Sequence, residues 1–260
     1  MTTLSKLRGL AFGAAALAAV TTTGTAQAAD WSNTEIQYQY GRLDNPFAGT
    51  KDGTHIVTLQ HASGYSFGDV FFFVDFLDDG NTDATNFNDK DAYGEFYAYF
   101  SSAKIFGRKY GGPIKDIGLV AGINYDADVG YTGYLPGVYI DWAAPGFAFL
   151  RTQFTAIIDD SDIAQEDGFQ ADVSWAYPFK ISGQLFSFEG HAEYTVNSSN
   201  IFGPQKDWFL TQPQLRWDVG YAVTGKKDQF FIGTEYQYWA NKLGTNTDES
   251  AFQALGVWRF

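Results

Sequence analysis

The chain has 260 residues, 17 Lys plus Arg against 30 Asp plus Glu, a formal net charge of −13, and no cysteine. That sign argues against nucleic acid as a partner, because phosphate binding needs the opposite field, and the missing cysteines exclude disulfides, thiolate metal sites and thiol nucleophiles. One Met, 28 Gly and 18% aromatic residues point away from helices and towards strands with aromatic girdles.

At the amino terminus Lys6 and Arg8 precede an apolar stretch from Leu10 to Val20, and Ala26-Gln27-Ala28 has the small residues of a cleavage site. This is the pattern of a secretory signal over 1–28, with cleavage expected after Ala28. The apolar stretch is too short to span a bilayer as a helix, and no later segment approaches about 18 apolar residues in a row. Loss of 1–28 removes Lys6 and Arg8 and no acid, leaving 15 cations against 30 carboxylates and a charge of −15. Any membrane-spanning structure is therefore expected to be a barrel.

From Trp31 onwards short alternating segments recur between turn-rich stretches. They predict strands at Thr34–Arg42, Thr54–Gly64, Phe67–Leu77, Ala92–Ser102, Ile114–Tyr125, Tyr131–Trp142, Gly146–Ile158, Gly168–Tyr177, Gly183–Val196, Asp207–Tyr221, Gln229–Trp239 and Ser250–Phe260. Each has about the length a tilted strand needs to cross the hydrocarbon layer. No repeat or composition break divides residues 29–260. The expectation is one all-β domain, a transmembrane antiparallel up-and-down β-barrel of 12 strands.

The connections support it. Short ones follow even-numbered strands (Tyr65-Ser66, Ala143-Ala144-Pro145, Phe179-Lys180, Thr224-Gly225-Lys226-Lys227), and longer acidic ones, such as Asp78 to Asp91 and Asp159 to Asp167, follow odd-numbered strands. Ala103 to Pro113 departs from the pattern, being long and basic. Membrane barrels have short periplasmic turns and longer external loops. The acidic loops could hold divalent cations near lipopolysaccharide, or form a plain solvated rim.

Alternation separates two faces. Phe230, Ile232, Thr234, Tyr236 and Tyr238 oppose Gln229, Glu235 and Gln237; Phe186, Phe188, Ala192, Tyr194 and Val196 oppose Ser187, Glu189, His191 and Glu193; Phe209, Leu215, Trp217 and Val219 oppose Trp208, Gln212, Gln214, Arg216 and Asp218. The first set of each suits lipid, where one central charge costs about 2–4 kcal/mol. A soluble lipocalin-like barrel would turn its apolar set inward. The last segment, Phe252 to Phe260, ends on an aromatic carboxyl terminus, as bacterial outer-membrane barrels habitually do; that likeness implies a tail read by the barrel-assembly machinery, a Gram-negative outer-membrane location and contact with lipid and lipopolysaccharide.

The inward set combines carboxylates, amides and aromatics: Phe71, Phe73, Asp75, Glu95, Tyr97, Tyr99, Asp141, Arg151, Gln153, Asp172, Glu189, Glu193, Trp208, Gln212, Gln214, Arg216, Glu235 and Gln237. Such groups hydrogen-bond hydroxyls and ring nitrogens and stack on flat heterocycles, at about 1–3 kcal/mol per base in nucleic-acid sites. They suit a neutral, planar, sugar-bearing solute; the same networks could equally brace the wall and fill the bore.

Gly64-Tyr65-Ser66-Phe67-Gly68-Asp69 with Phe71-Phe72-Phe73-Val74-Asp75, then Tyr93-Gly94-Glu95, Gly112-Pro113-Ile114-Lys115-Asp116, Ile123-Asn124-Tyr125, Leu210-Thr211-Gln212-Pro213-Gln214 and Gly233-Thr234-Glu235-Tyr236-Gln237-Tyr238-Trp239 follow in order. Together they resemble the Tsx-like family of nucleoside-specific channels and its OmpK relatives across nearly the whole chain. The resemblance implies a twelve-stranded outer-membrane barrel whose lumen binds base and sugar, with Phe71, Phe73 and Asp75 foremost. Glu95, Gln212, Gln214, Glu235 and Gln237 follow, and Tyr97, Arg151, Trp208 and Arg216 complete the candidate lumen site. The run Phe96-Tyr97-Ala98-Tyr99 is more aromatic than in those channels, so the chain looks closer to the broader family than to its nucleoside-specific members.

No cofactor or metal is expected, and the chain is expected to be a monomer. An enzyme would need a nucleophile beside a base. Ser63 lies about 7 Å along the strand from His61, no Gly-x-Ser-x-Gly elbow occurs, and His55 and His61 are about 20 Å apart on an extended strand. A phage receptor, a structural barrel or a general porin is the other alternative.

Overall fold

The computed structural model describes residues 28–80, 90–161, 167–196, 199–200 and 203–260. The expected signal, all but Ala28, and the middles of two outer connections, 81–89 and 162–166, lie outside the described residues.

Fifteen strands are present among the described residues: β1 Trp31–Asn45, β2 Thr50–Tyr65, β3 Gly68–Asp78, β4 Lys90–Ser101, β5 Ile114–Asp126, β6 Tyr131–Trp142, β7 Phe149–Asp159, β8 Gly168–Ile181, β9 Gln184–Val196, β10 Ser199–Asn200, β11 Gly203–Pro204, β12 Trp208–Thr211, β13 Gln214–Trp217, β14 Phe230–Ala240 and β15 Glu249–Arg259. Two helical turns, α1 Ser102–Phe106 and α2 Val219–Thr224, complete the regular elements considered below. Strands β10 and β11 form a small ribbon of their own. All the others pair antiparallel with their neighbours, and β15 returns to β1, with Glu35 opposite Arg259 and Gly41 opposite Gln253. The sheet therefore closes and leaves no strand edge unpaired.

Both β12 and β13 pair β9 on one side and β14 on the other in one unbroken register, so they are two halves of a single wall strand. The wall has 12 strands. The break falls at Gln212-Pro213, because Pro213 has no N–H to give the ladder. Its carbonyl still accepts from the Tyr236 N–H at 3.0 Å. Gly190 faces the break with φ 147°, and a Cβ there would stand 2.4 Å from the Gln212 carbonyl oxygen, so glycine is required.

Two expectations about the connections are corrected. The tenth wall strand does not run to Tyr221: it ends at Trp217, Asp218 caps α2 by accepting from the Tyr221 N–H, and Val219 lies on that helix rather than on an outward strand face. The short turn expected at Thr224–Lys227 is therefore the tail of a longer connection, 218–229. Conversely, β1, β2, β5 and β6 run close to their turns, so the connections 46–49 and 127–130 are as tight as those of the opposite rim. The contrast between short and long connections is weaker than the sequence predicts.

The two faces hold throughout. Outward side chains include Ile36, Val57, Leu59, Phe76, Leu119, Val138, Phe154, Phe188, Leu215 and Ile232, all substantially exposed. Among the described residues, charged side chains on outward faces stand only within four residues of a strand end: Arg42, Asp44, Lys51, Asp78, Lys90 and Lys115. Aromatics flank the band at both rims, with Tyr40 and Tyr194 towards one and Tyr177, Trp258 and Phe260 towards the other. An unbroken apolar girdle with aromatic borders is what a closed sheet needs in hydrocarbon.

Candidate functional site: the lumen

Two blocks of inward side chains pack the bore, and a strip between them stays open. The first block lies at the closing seam. Glu35 takes Arg216 Nη1 at 3.0 Å and Arg259 Nη2 at 2.9 Å, and Arg216 also reaches Glu189 at 3.3 Å. Above it, Glu235 accepts from Gln39 at 2.6 Å, Gln214 at 2.7 Å and Gln253 at 2.8 Å. Gln237 bonds Gln212 and Glu249, and Glu249 holds Lys242 Nζ at 3.0 Å. Lys242 lies beyond the strands in the connection after β14, where burial draws its amine below the usual value against the pull of Glu249.

The second block is aromatic. Tyr97, Tyr99, Val120, Leu135, Tyr139 and Ile157 form a buried cluster against β4 to β7. The inward positions 118 and 122 are glycines, and Cβ atoms there would stand 2.4 Å from the Tyr139 ring and 2.5 Å from the Tyr97 ring. The rings lie flat on the wall because those positions have no side chain. Tyr99 donates to Gln153 at 2.9 Å, Tyr97 to Asn124 at 3.2 Å, and Tyr139 to Asp116 at 3.1 Å. Arg151 lies over Tyr99 and Tyr139, 4.0 and 4.4 Å from their ring centroids. It makes a two-pronged pair with Asp141 at 2.6 and 2.9 Å, and reaches Asp69 on β3 at 3.1 Å. Since β3 and β7 are not neighbours in the wall, Arg151 is a chord across part of the bore.

Between the blocks the inward groups are only half-buried: Phe71, Phe73, Asp75, Tyr93 and Glu95 on β3 and β4, and Asp172, His191, Glu193, Trp208 and Gln212 on β8, β9 and the tenth wall strand. Phe71, Phe73 and Tyr93 form a ladder with centroid spacings of 6.2 and 6.1 Å. Asp75 accepts from Thr58 at 2.5 Å, and Glu95 from Tyr93 at 2.6 Å and Asn124 at 3.0 Å. Glu193 accepts from Gln170 at 2.6 Å and stands opposite Asp172 in the β8–β9 pairing. Glu95 is within electrostatic reach of both, although its strand is far from theirs in the wall.

Every arginine in the bore is paired with carboxylates. Among the described residues no Lys or Arg forms an ion pair with Asp75, Glu95, Asp172, Glu193 or Glu235. The open strip thus holds acidic side chains without an ion-pair partner beside aromatic faces.

All twelve candidate residues project inward, but in two environments. Phe71, Phe73, Asp75, Glu95, Trp208 and Gln212 line the open strip, whereas Tyr97, Gln214, Arg216, Glu235 and Gln237 are sealed in the blocks and Arg151 is pinned between its carboxylates. Of the wider inward set, Tyr99 and Gln153 are likewise sealed. The sequence reading of the inward set lacks Glu35, Gln37, Gln39, Asp69, Tyr93, Tyr139 and Gln253, although Asp69 and Tyr93 stand in its motifs. The alternation Glu35-Ile36-Gln37-Tyr38-Gln39-Tyr40 carries the signal for the first three. His55 and His61 point outward and bond Tyr38 and Thr34, each at 2.7 Å. No group of three or more His, Cys, Asp or Glu side chains among the described residues converges as metal ligands do.

No family model matches the chain, and no curated protein matches it. Among solved structures, the NanC porin is 13% identical with a TM-score of 0.53, over 86% of this chain and 98% of that one. The KdgM porin is 8% identical with a TM-score of 0.49, over 87% and 99%. The likeness to the NanC porin shows the fold: a closed antiparallel β-barrel.

Proposed function

We propose that this barrel is an outer-membrane channel for passive uptake of small solutes. The observation that carries the proposal is the half-buried strip of aromatics and carboxylates running between two packed blocks, inside a wall whose outer face is apolar all round. Acidic side chains in a pore, wherever they ionise, favour cations and neutral solutes over anions.

Within that reading, nucleosides are the foremost solute class. A base can lie on the Phe71–Phe73–Tyr93 ladder while ribose hydroxyls donate to Asp75 and Glu95 and meet Gln212 and Trp208 from the other side. The Tsx-like resemblance of the sequence supports the same class. Of the twelve candidates, the six in the strip would contact solute and the six others would hold the strip in place. The tail at Phe260 would serve barrel assembly, and the chain would act as a monomer between phospholipid and lipopolysaccharide.

The test is conductance of the purified protein in planar bilayers, with a nucleoside panel added on one side. Small channels that prefer cations and are blocked by micromolar-to-millimolar nucleosides are expected. Current unchanged by every nucleoside would overturn the nucleoside reading and leave the channel. One observation favours a second reading: Leu135, Tyr139 and Val257 have no exposure at all, and Glu35 and Gln253 have 1%. So much interior packing suits a structural or surface-interaction barrel, and absence of any conductance would select it.

A further inference from the structure

The two longest connections at the rim that bears the chain ends are built alike. After β4, Ser101 caps α1 by accepting from the Lys104 N–H, Gly107 ends it with φ 64°, and Arg108-Lys109 follow. After β13, Asp218 caps α2, Gly225 ends it with φ 75°, and Lys226-Lys227 follow. The sequence pattern helix, glycine, cation, cation thus occurs twice.

Each device is fixed to the wall and offers the same surface. Lys104 donates to the Tyr65 and Gly68 carbonyls at 2.9 and 3.0 Å, and Asp116 accepts from Ser101 and the Ala103 N–H. Asp218 accepts from the Asp228 N–H at 2.8 Å. What each leaves exposed is an apolar tip, Phe106 at 73% exposure on one and Val223 at 78% on the other. Both cations of each pair are exposed beside their tip. The first connection contains no acid; in the second, Asp218 is buried and Asp228 is the only exposed carboxylate. The opposite rim is acidic, with Asp79, Asp128, Asp160, Asp207 and Asp248 in its connections, and the chain as a whole carries −13. One connection joins wall strands four and five, the other ten and eleven, so in a ring of twelve they stand on opposite sides.

We propose that the two helix–glycine–dication connections are paired feet that seat the barrel on anionic phospholipid headgroups at the terminus-bearing rim. Phe106 and Val223 enter the interfacial layer, and Arg108, Lys109, Lys226 and Lys227 bind the headgroup phosphates. A cation held near an anionic membrane surface favours association about fivefold, so opposed pairs would gather anionic lipid around the rim and resist tilting.

The test uses the full barrel reconstituted in vesicles of phosphatidylcholine and phosphatidylglycerol, extracted gently in detergent, with the retained lipids quantified by mass spectrometry. The wild type should retain phosphatidylglycerol several-fold above its share of the bilayer. The variant R108Q/K109Q/K226Q/K227Q should retain the bulk ratio, and either half-variant, R108Q/K109Q or K226Q/K227Q, about half the enrichment. The acidic-rim control D128N/D160N should match wild type, and heat-dependent gel migration checks that each barrel is closed. A bulk ratio in the wild type, or undiminished enrichment in the quadruple variant, overturns the proposal. Retention of added lipopolysaccharide in place of phosphatidylglycerol through the same four cations would also overturn it.

Discussion

Glu35 is the most informative single residue for the stability of the closed sheet. It is 1% exposed, sits on β1, and holds Arg216 of the tenth wall strand and Arg259 of β15 at 3.0 and 2.9 Å. The Arg216 side chain is itself 3% exposed, so Glu35→Ala strands a guanidinium where water does not reach it. Breaking a buried pair by removing one partner costs about 3–5 kcal/mol. Glu189 at 3.3 Å and the Gln214 side-chain amide oxygen, which accepts from Arg216 Nε at 2.7 Å, still serve Arg216, which places the expected loss at about 3 kcal/mol, the lower end of that range. Urea unfolding in lipid vesicles, followed by the fluorescence of the seven tryptophans, measures it. The double variant Glu35→Leu, Arg216→Met should recover part of the loss, because the buried Arg216 guanidinium is no longer there to be stranded and Arg259 and Glu189, 3.9 Å apart, are left to each other. A loss under about 1 kcal/mol in the single variant, or strictly additive losses in the double, would show that the seam does not depend on this network.

Phe73→Ala should weaken nucleoside block of the current about tenfold, the effect of losing one stacking face of about 1–3 kcal/mol. The outward Phe230→Ala should leave the block unchanged; equal effects would mean that one strand is assigned the wrong face. Asp172→Asn with Glu193→Gln should move the zero-current potential in a KCl gradient towards the unselective value, and an unmoved potential would place the selectivity elsewhere. Gly122→Val should push the Tyr97 ring off the wall, since a Cβ there meets it at 2.5 Å, and lower single-channel conductance while the protein still inserts.

The period-two alternation made most of the wall readable. For β6 the expected bounds, Tyr131–Trp142, are those observed, and every candidate lumen residue lies on the inward face. The alternation is legible because one face must avoid charge and the other need not. Three features were not legible for a different reason each. The tenth wall strand reads as continuous because Pro213 interrupts only a hydrogen bond, not the alternation. The sequence Val219–Tyr221 reads as the end of a strand because a six-residue helix is too short for a 3.6-residue period to outweigh its Val and Tyr. The division of the lumen into sealed and open parts depends on cross-strand register: Gly118 and Gly122 become sockets only once Tyr139 and Tyr97 are known to lie beside them.

The place of the polar block follows from where the chain must close. The pairing of β1 with β15 joins residues more than two hundred positions apart, and ordering so long a loop costs more than forming any hairpin of neighbouring strands. The buried network of Glu35, Arg216, Arg259 and Glu235 with its glutamines is concentrated at that seam, where added interactions offset the larger entropy. Apart from Trp208 and Gln212 on the tenth wall strand, the open strip instead lies on β3, β4, β8 and β9, within hairpins β3–β4 and β8–β9 that the chain forms locally with 11 and 13 paired positions. Those walls hold without a filled interior, so like charges such as Asp172 and Glu193 can stand opposite one another there, an arrangement that destabilises a sheet. A cost tolerated only where the wall is locally secure is the expected mark of groups kept for what passes between them rather than for what they hold together.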